Sequence, residues 1–156
     1  MLNFFPLLVI IGITTSLLSQ TIKIGTLAAE ASKNSKHLFI WLHKTGCGYC
    51  EAMQEFTLEE EHIKALVARA FTFVPVNVYE DDTVVYKDFN GSAKAFAVEL
   101  GYNFYPSSLF FDKDADLVFA APGYVEEDDF MNILRYIADD AYQTMSYDAF
   151  RRKGRR

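Results

Sequence analysis

The chain has 156 residues, a length that suits a single globular domain with a substantial core. Hydrophobic residues make up 51% and charged residues 23%, a composition that is typical of a folded protein and excludes a disordered one. The tail 151–156 holds five of the fifteen basic residues, so residues 1–150 carry ten basic and 21 acidic residues, a net charge of −11. An acidic body excludes nucleic acid as the partner, because phosphate binding requires a basic face.

The N-terminal segment is an apolar run from Phe4 to Leu18. A helix of this length spans about 22 Å, which is short of the ~30 Å hydrocarbon core of a membrane. We therefore assign residues 1–24 to a secretory signal peptide, cleaved near Ser19 and Gln20, or to an uncleaved N-terminal membrane anchor. Both alternatives place the rest of the chain outside the cytoplasm, and we expect a periplasmic location.

Helices and strands alternate after this leader. The predicted helices cover about residues 25–36, 48–54, 58–71, 93–100 and 128–142. The predicted strands cover residues 37–43, 71–78, 107–112 and 117–121. A β-α-β unit followed by a β-β-α unit predicts an α/β fold, with a central mixed sheet and helices on both of its faces. Residues 79–91 are predicted to form a polar loop.

Individual residues sharpen this outline. Thr26 and Ser92 are expected to be N-cap residues, and Thr57 is expected to form a capping box with Glu60. Pro75 predicts that its strand lies at an edge of the sheet or is irregular. The last helix has an apolar face at helical spacing. The residues of that helix face are Phe130, Ile133, Leu134 and Ile137. Four aromatic residues are expected either to form an apolar docking patch around the Cys47 sulfur or to belong to the core, and the core is favoured for Phe104: Tyr49, Tyr102, Phe104 and Tyr105.

The two cysteines, Cys47 and Cys50, lie directly after a buried strand and at the start of a helix. A helix N-terminus stabilises a thiolate, so we expect a lowered pKa for Cys47 and a less exposed Cys50 one turn later. The spacing predicts that Cys47 attacks a substrate disulfide and that Cys50 then resolves the mixed disulfide. Gly48 is expected to allow a tight turn and leave room for a partner chain. Tyr49 is expected to be exposed beside the sulfur.

The neighbouring residues leave other uses of the two sulfurs open. Cu(I) can be held by two cysteines together with Met53 or His43, and two buried, unreactive thiols are a further alternative. A structural zinc site is disfavoured, because the chain has no second cysteine pair and no suitably spaced pair of histidines. No metal and no cofactor are therefore expected for a redox centre. His43 and Lys44 are candidates for tuning the pKa of Cys47.

Three segments resemble the thioredoxin family over about residues 26–150: CGYC, FYPSSLFFD and APGYVEEDDFMNILRYI. The resemblance implies a thioredoxin fold at residues 25–150, followed by a basic tail at 151–156. It also implies that Pro106 is a cis-proline facing the cysteines, and that the backbone of Tyr105 binds the extended substrate. Within the family the chain is most similar to periplasmic thioredoxins related to SoxW, through DFNGSAKAFAVELGYNFYPS and AYQTMSYDAF.

Two departures from the thioredoxin pattern affect the expected function. Trp41 occupies the position of a buried acid, so another group or a water must take the proton of Cys50. The dipeptide inside the motif is Gly-Tyr, which also occurs in disulfide isomerases, but the 36 residues before the first predicted strand leave no space for their dimerisation domain. The resemblance favours a monomeric reductant of protein or sulfur-compound disulfides, recharged by a membrane thiol donor, over a thiol oxidase or isomerase.

Overall fold

Two β-sheets and six α-helices make up the fold in a computed structural model, which describes residues 20–80 and 82–154. The first half comprises β1 (Thr21–Lys23), α1 (Ile24–Lys33), β2 (His37–His43), α2 (Gly48–Met53), a π-helical segment (Gln54–Leu58), α3 (Glu61–Ala70) and β3 (Phe71–Asn77). The second half comprises β4 (Thr83–Tyr86), β5 (Phe89–Ser92), α4 (Ala93–Glu99), β6 (Ser107–Phe111), β7 (Leu117–Pro122), α5 (Glu127–Ala138), a 3-10 turn (Ala141–Gln143) and α6 (Tyr147–Gly154).

The central sheet has four strands in the order β3-β2-β6-β7. Strands β2 and β3 are parallel, whereas β6 is antiparallel to both β2 and β7. The mixed α/β sheet predicted from the sequence is therefore confirmed. Pro75 lies in the edge strand β3, as predicted, in register with Trp41 of β2.

The two faces of this sheet follow from the alternation of side chains along β2. Leu38, Ile40 and Leu42 belong to a core that α1, α4 and the strands β1 and β4 cover, here called the α1 face. Phe39 and Trp41 belong to a second core, which includes both cysteines and residues of α3 and α5, here called the disulfide face. Helices thus cover both faces, as expected for this layer architecture.

The folded domain begins before the predicted boundary at residue 25. Residues 21–23 form β1, which pairs in parallel with β4, and the side chains of Ile22 and Ile24 are buried in the core of the α1 face. Helix α1 starts at Ile24 with Lys23 as its N-cap, so the expectation that Thr26 caps it is wrong. The rest of the assigned leader, residues 1–19, lies outside the described residues.

The region predicted as a polar loop, 79–91, contains a β-hairpin. Strands β4 and β5 pair antiparallel and form a three-stranded sheet with β1. The alternating burial of β4 places Val84 and Tyr86 in the core of the α1 face. After the hairpin, Ser92 caps α4 as predicted, with its Oγ accepting a hydrogen bond from the Ala95 amide at 3.2 Å.

The predicted capping box at Thr57 does not form. Thr57 is fully buried in the π-helical segment, and its hydroxyl donates a hydrogen bond to the carbonyl of Val125 at 2.9 Å. Helix α3 instead begins after Glu60, whose side chain makes no capping bond. The hydroxyl therefore ties the helical connection after the cysteines to the segment before α5.

The C-terminal region is more helical than predicted. The expected apolar face of α5 is buried, but the helix ends at Ala138 instead of continuing to Tyr142. Helix α6 then includes residues 151–154 of the assigned basic tail, and Arg151 pairs with Asp129 of α5 at 3.0 Å. The domain thus extends beyond residue 150. Among the described residues, no helix is long and apolar enough to cross a membrane.

Candidate redox site

Cys47 and Cys50 form a disulfide at the start of α2, with their Cα atoms 5.2 Å apart. Cys47 is the N-cap residue of the helix, and its Sγ accepts a hydrogen bond from the Cys50 amide at 3.2 Å. The chain reaches this position through Gly46, which has a φ of +71°. The residue that makes the tight turn is therefore Gly46, and not Gly48 as expected. A Cβ at Gly48 would meet nothing within 4 Å, so the space above it is open.

The two sulfur-bearing residues differ little in exposure. Cys47 is 6% exposed and Cys50 is 3% exposed, because both pack into the apolar core of the disulfide face beside Trp41 and Met53. Cys50 is therefore less exposed than Cys47, as expected, but the difference in exposed fraction is small. Tyr49, between them, is 72% exposed, as predicted.

The segment before β6 faces the disulfide. The Tyr105–Pro106 peptide bond is cis, as expected, and the Tyr105 carbonyl oxygen lies 3.7 Å from Cys47 Sγ. Pro106 is buried, whereas Phe104 is 68% exposed, so the expectation that Phe104 belongs to the core is wrong. The Ser107 hydroxyl donates a hydrogen bond to the Phe104 carbonyl and fixes the backbone of this segment, while the Phe104 ring remains at the surface.

The two candidates for tuning the Cys47 pKa have other neighbours. The His43 ring stacks on the Trp41 indole, with centroids 4.6 Å apart and planes at 19°. Burial lowers the pKa of His43, although the nearby Glu80 carboxylate acts in the opposite direction. The lowered pKa favours the neutral imidazole at neutral pH. The Lys44 ammonium lies over the rings of Tyr79 and Tyr105, at 5.8 Å and 6.0 Å from their centroids.

Trp41, at the position where thioredoxins have a buried acid, places its indole Nε1 in the core without a hydrogen-bond partner among the described residues. Ser108 faces Trp41 across the β2–β6 ladder, and its buried hydroxyl is also unpartnered. Two unsatisfied polar groups therefore lie on the disulfide face, where buried polar groups normally find partners.

Asn77, at the end of β3, is a site residue that sequence reasoning missed. Its amide nitrogen donates to Thr45 Oγ1 at 2.9 Å and to Glu80 Oε1 at 3.1 Å, and its Oδ1 accepts from the Tyr79 amide at 3.1 Å. The side chain thus joins the loop before Cys47 to the turn after β3. The predicted β-α-β unit could have indicated this position, because parallel pairing of β2 with β3 brings the carboxyl ends of both strands together.

A large cavity opens on the disulfide face beside β2 and β3. It measures about 790 Å³ and lies between the sheet and the helical connection that follows the cysteines. Its lining is mostly apolar and aromatic, and includes Phe39, Trp41, Leu58, Phe73 and Pro75. His43 also lines this cavity.

Two sets of side chains among the described residues offer potential metal ligands. Met53 is fully buried in the same core as the two cysteines, and His43 stacks on Trp41. The two sulfurs are bonded to each other, so in this state they offer no thiolate to a Cu(I) ion. At the surface, ligand atoms of Glu60, His62 and Glu127 lie within 4.8 Å of one another. A 2.9 Å contact between His62 Nε2 and Glu127 Oε1 accounts for their proximity and links α3 to α5.

The sequence matches the family described as "Thioredoxin-like domain" over residues 26–138, which is most of the chain. The chain belongs to this family. No curated protein matches the sequence at a significant level.

Solved structures of thioredoxin-fold proteins are similar to the chain. A thioredoxin-fold protein from Helicobacter pylori has a TM-score of 0.63 and 22% identity, over 77% of this chain and 80% of that one. A thioredoxin from Thermus thermophilus has a TM-score of 0.58 and 18% identity, over 76% and 86%. The reduced C-terminal domain of DsbD from Neisseria meningitidis has a TM-score of 0.50 and 18% identity, over 72% and 88%. At these identities the likeness establishes the thioredoxin fold.

Proposed function

We propose that the protein is a thiol–disulfide oxidoreductase that reduces disulfides of proteins or sulfur compounds outside the cytoplasm. The observation that carries this proposal is the Cys47–Cys50 disulfide at the start of a helix, with the Tyr105 carbonyl 3.7 Å from Cys47 Sγ. The apolar leader supports export to the periplasm. The segments that resemble SoxW-related thioredoxins support the choice of a reductant.

The reaction proceeds in two exchanges. The Cys47 thiolate attacks one sulfur of the substrate disulfide, forms a mixed disulfide and releases the first substrate thiolate, which takes up a proton. Cys50 then loses its proton and attacks Cys47 Sγ, which releases the second substrate thiol and forms the Cys47–Cys50 bond. The substrate gains the two electrons that the protein loses, and a membrane thiol donor restores the reduced pair.

The residues around the sulfurs suit these steps. In the reduced protein, the Cys50 amide is placed to donate a hydrogen bond to a thiolate at Cys47, which favours the charged form. The open space above Gly48 admits a polypeptide, and the Tyr105 backbone beside Pro106 offers hydrogen bonds to an extended chain. The exposed Tyr49 ring supplies apolar contact area next to the attacked bond.

Trapping tests the assignment of the two cysteines. Cys50→Ser is expected to accumulate mixed disulfides with substrates, because the resolving thiol is gone, whereas Cys47→Ser is expected to lose disulfide reduction entirely. The measurement is reduction of insulin disulfides together with mass spectrometry of thiol-trapped complexes. Turnover by Cys47→Ser, combined with no trapping by Cys50→Ser, would contradict the assigned roles.

The reduction potential tests the direction of electron flow. Potentials in proteins of this fold run from about −270 mV for reductants to about −120 mV for strong oxidants. Equilibration with dithiothreitol and glutathione buffers is expected to give a value near the reducing end. A value near −120 mV would replace the reductant with a thiol oxidase.

A further inference from the structure

Two lysines and two tyrosines form a continuous surface beside the disulfide, here called the lysine–tyrosine surface: Lys44, Tyr79, Lys94 and Tyr105. The Lys44 ammonium lies between the two rings, 5.8 Å from the Tyr79 centroid and 6.0 Å from the Tyr105 centroid. The Lys94 ammonium lies 5.7 Å from the Tyr79 centroid. Tyr79 is 58% exposed and thus offers its ring to solvent between the two charges.

The lysine–tyrosine surface is held in a fixed position relative to the redox sulfur. Its Tyr105 contributes the carbonyl that lies 3.7 Å from Cys47 Sγ. The Tyr79 amide is bonded to the Asn77 side chain, which also binds Thr45 in the loop before Cys47. The Val78 amide adds a hydrogen bond to the His43 carbonyl at 2.9 Å. Any group that docks on this surface is therefore placed close to the bond that Cys47 attacks.

The two lysines of this surface have no carboxylate partner among the described residues, a property they share with Lys23 and Lys33. Lys64, Lys87 and Lys113 each form an ion pair with a carboxylate. Within residues 20–80 and 82–154, neither Lys44 nor Lys94 forms such a pair, although the whole chain is acidic with a net charge of −6. The nearby Glu80 carboxylate accepts a hydrogen bond from the Asn77 amide. Within the part of the chain that the structure describes, no carboxylate at ion-pair distance competes with an external anion for the two ammonium groups.

We propose that the lysine–tyrosine surface binds an acidic segment next to the disulfide of a polypeptide substrate. Carboxylates of the segment would approach the two ammonium groups, and its apolar atoms would lie on the Tyr79 ring. Complementary charge at the rim of a site raises the rate of encounter and selects among partners. This inference rests on the proposed oxidoreductase function and names the class of substrate that the enzyme prefers.

Three synthetic peptides with the same internal disulfide test the preference. Their flanks carry aspartates, serines or lysines, and kcat/KM for reduction by the full domain is measured at low and high salt. The test variant is Lys44→Gln with Lys94→Gln. The control variant is Lys23→Gln with Lys33→Gln, which removes the same charge from exposed positions in β1 and α1, outside the lysine–tyrosine surface.

At low salt the unmodified protein is expected to reduce the acidic peptide roughly three- to tenfold faster than the serine peptide, and the basic peptide more slowly. High salt compresses this ratio, because it screens exposed charges. The ratio falls to about one in the Lys44/Lys94 variant and persists in the control. Equal kcat/KM for all three peptides, or a ratio that survives in the Lys44/Lys94 variant, would overturn the docking role while leaving the oxidoreductase intact. No reduction of any peptide would overturn both proposals.

Discussion

The two faces of the central sheet are built differently, although the same four strands supply both. On the α1 face, Leu38, Ile40 and Leu42 are fully buried in a core of closely packed aliphatic and aromatic side chains. The disulfide face holds the redox pair, two unpartnered buried polar atoms and a cavity of about 790 Å³. Both faces contain fully buried side chains, but the cavity and the two unpartnered polar atoms lie on the face that holds the redox pair.

This difference suggests that stability and disulfide chemistry depend on different faces of the sheet. A close-packed apolar core stabilises the domain, since each buried side chain loses contacts if it is truncated. Voids and unsatisfied polar groups lower stability, and they lie on the side where a disulfide must open and close. We therefore expect the α1 face to contribute more to the free energy of unfolding than the disulfide face.

The largest effect is expected from Phe96→Ala on the α1 face. Phe96 is almost fully buried and packs edge-on against Tyr86, with centroids 5.7 Å apart. Removing its ring leaves a cavity in a well-packed core, which should lower the free energy of unfolding by about 3–5 kcal/mol. Urea denaturation followed by circular dichroism measures it. A loss below about 1 kcal/mol would contradict the assignment of stability to this face.

Phe73→Ala removes the same side chain from the disulfide face, at a more exposed position, and a smaller loss in the free energy of unfolding is expected. Phe73 is 38% exposed, lines the cavity and packs on Phe39 with centroids 4.8 Å apart. Truncation removes partly solvated area and merely enlarges an existing space, so the loss should be roughly 1–2 kcal/mol. The same denaturation experiment measures it. A loss equal to that of Phe96→Ala would mean that the two faces contribute alike.

Two adjacent serines of β6 compare the faces at a single position. Ser107, on the α1 face, donates a hydrogen bond to the Phe104 carbonyl, whereas Ser108, on the disulfide face, has no partner among the described residues. Ser107→Ala should lower the free energy of unfolding by about 1 kcal/mol, and Ser108→Ala should raise it by up to about 1 kcal/mol. Thermal and urea unfolding of both variants decide the signs. Destabilisation by Ser108→Ala would show that its hydroxyl has a buried partner.

The smallest effect concerns pH. His37 and His43 lie at the two ends of β2 on the disulfide face, and burial lowers the pKa of both in the folded protein. As the pH falls below the ordinary histidine value of about 6.5, the unfolded chain takes up protons first, so stability decreases. Above that value both states are neutral and the contribution vanishes. His43→Gln should therefore flatten the loss of stability between pH 7.5 and 5.5. An unchanged or steeper loss would contradict this sign.

The sequence predicted those elements whose side-chain period is strong. The continuous apolar run of β2 can be buried as a strand between two layers of helices. The apolar residues of α5 recur at helical spacing and can be buried only on one face of a helix: Phe130, Ile133, Leu134 and Ile137. The β4–β5 hairpin escaped prediction because its strands have four residues each and lie among charged residues. Helix α6 is polar and depends on tertiary contacts, such as the Tyr147 hydroxyl with the Asp129 carbonyl.

The candidate site divides in the same way. The spacing of Cys47 and Cys50 and the resemblance around Pro106 were sufficient to predict that these three residues lie together. Asn77 and Tyr79 could not be found in this manner, because their roles arise from the pairing of β2 with β3 and not from any local pattern. The hydrophobicity of Phe104 favoured a core position, and this prediction was wrong. The hydrogen bond from the Ser107 hydroxyl holds the Phe104 backbone in place while its ring lies at the surface.

The prolines at the margins of the central sheet have a consequence for association. An edge strand exposes unpaired backbone groups, onto which the edge of another molecule can add and begin an aggregate. Pro75 lies inside one edge strand, β3, and Pro122 ends the other, β7. Since proline has no N–H to donate, a second copy that approached β3 would find the row of donors interrupted. Pro75 therefore disfavours the addition of a second β-sheet at the β3 edge.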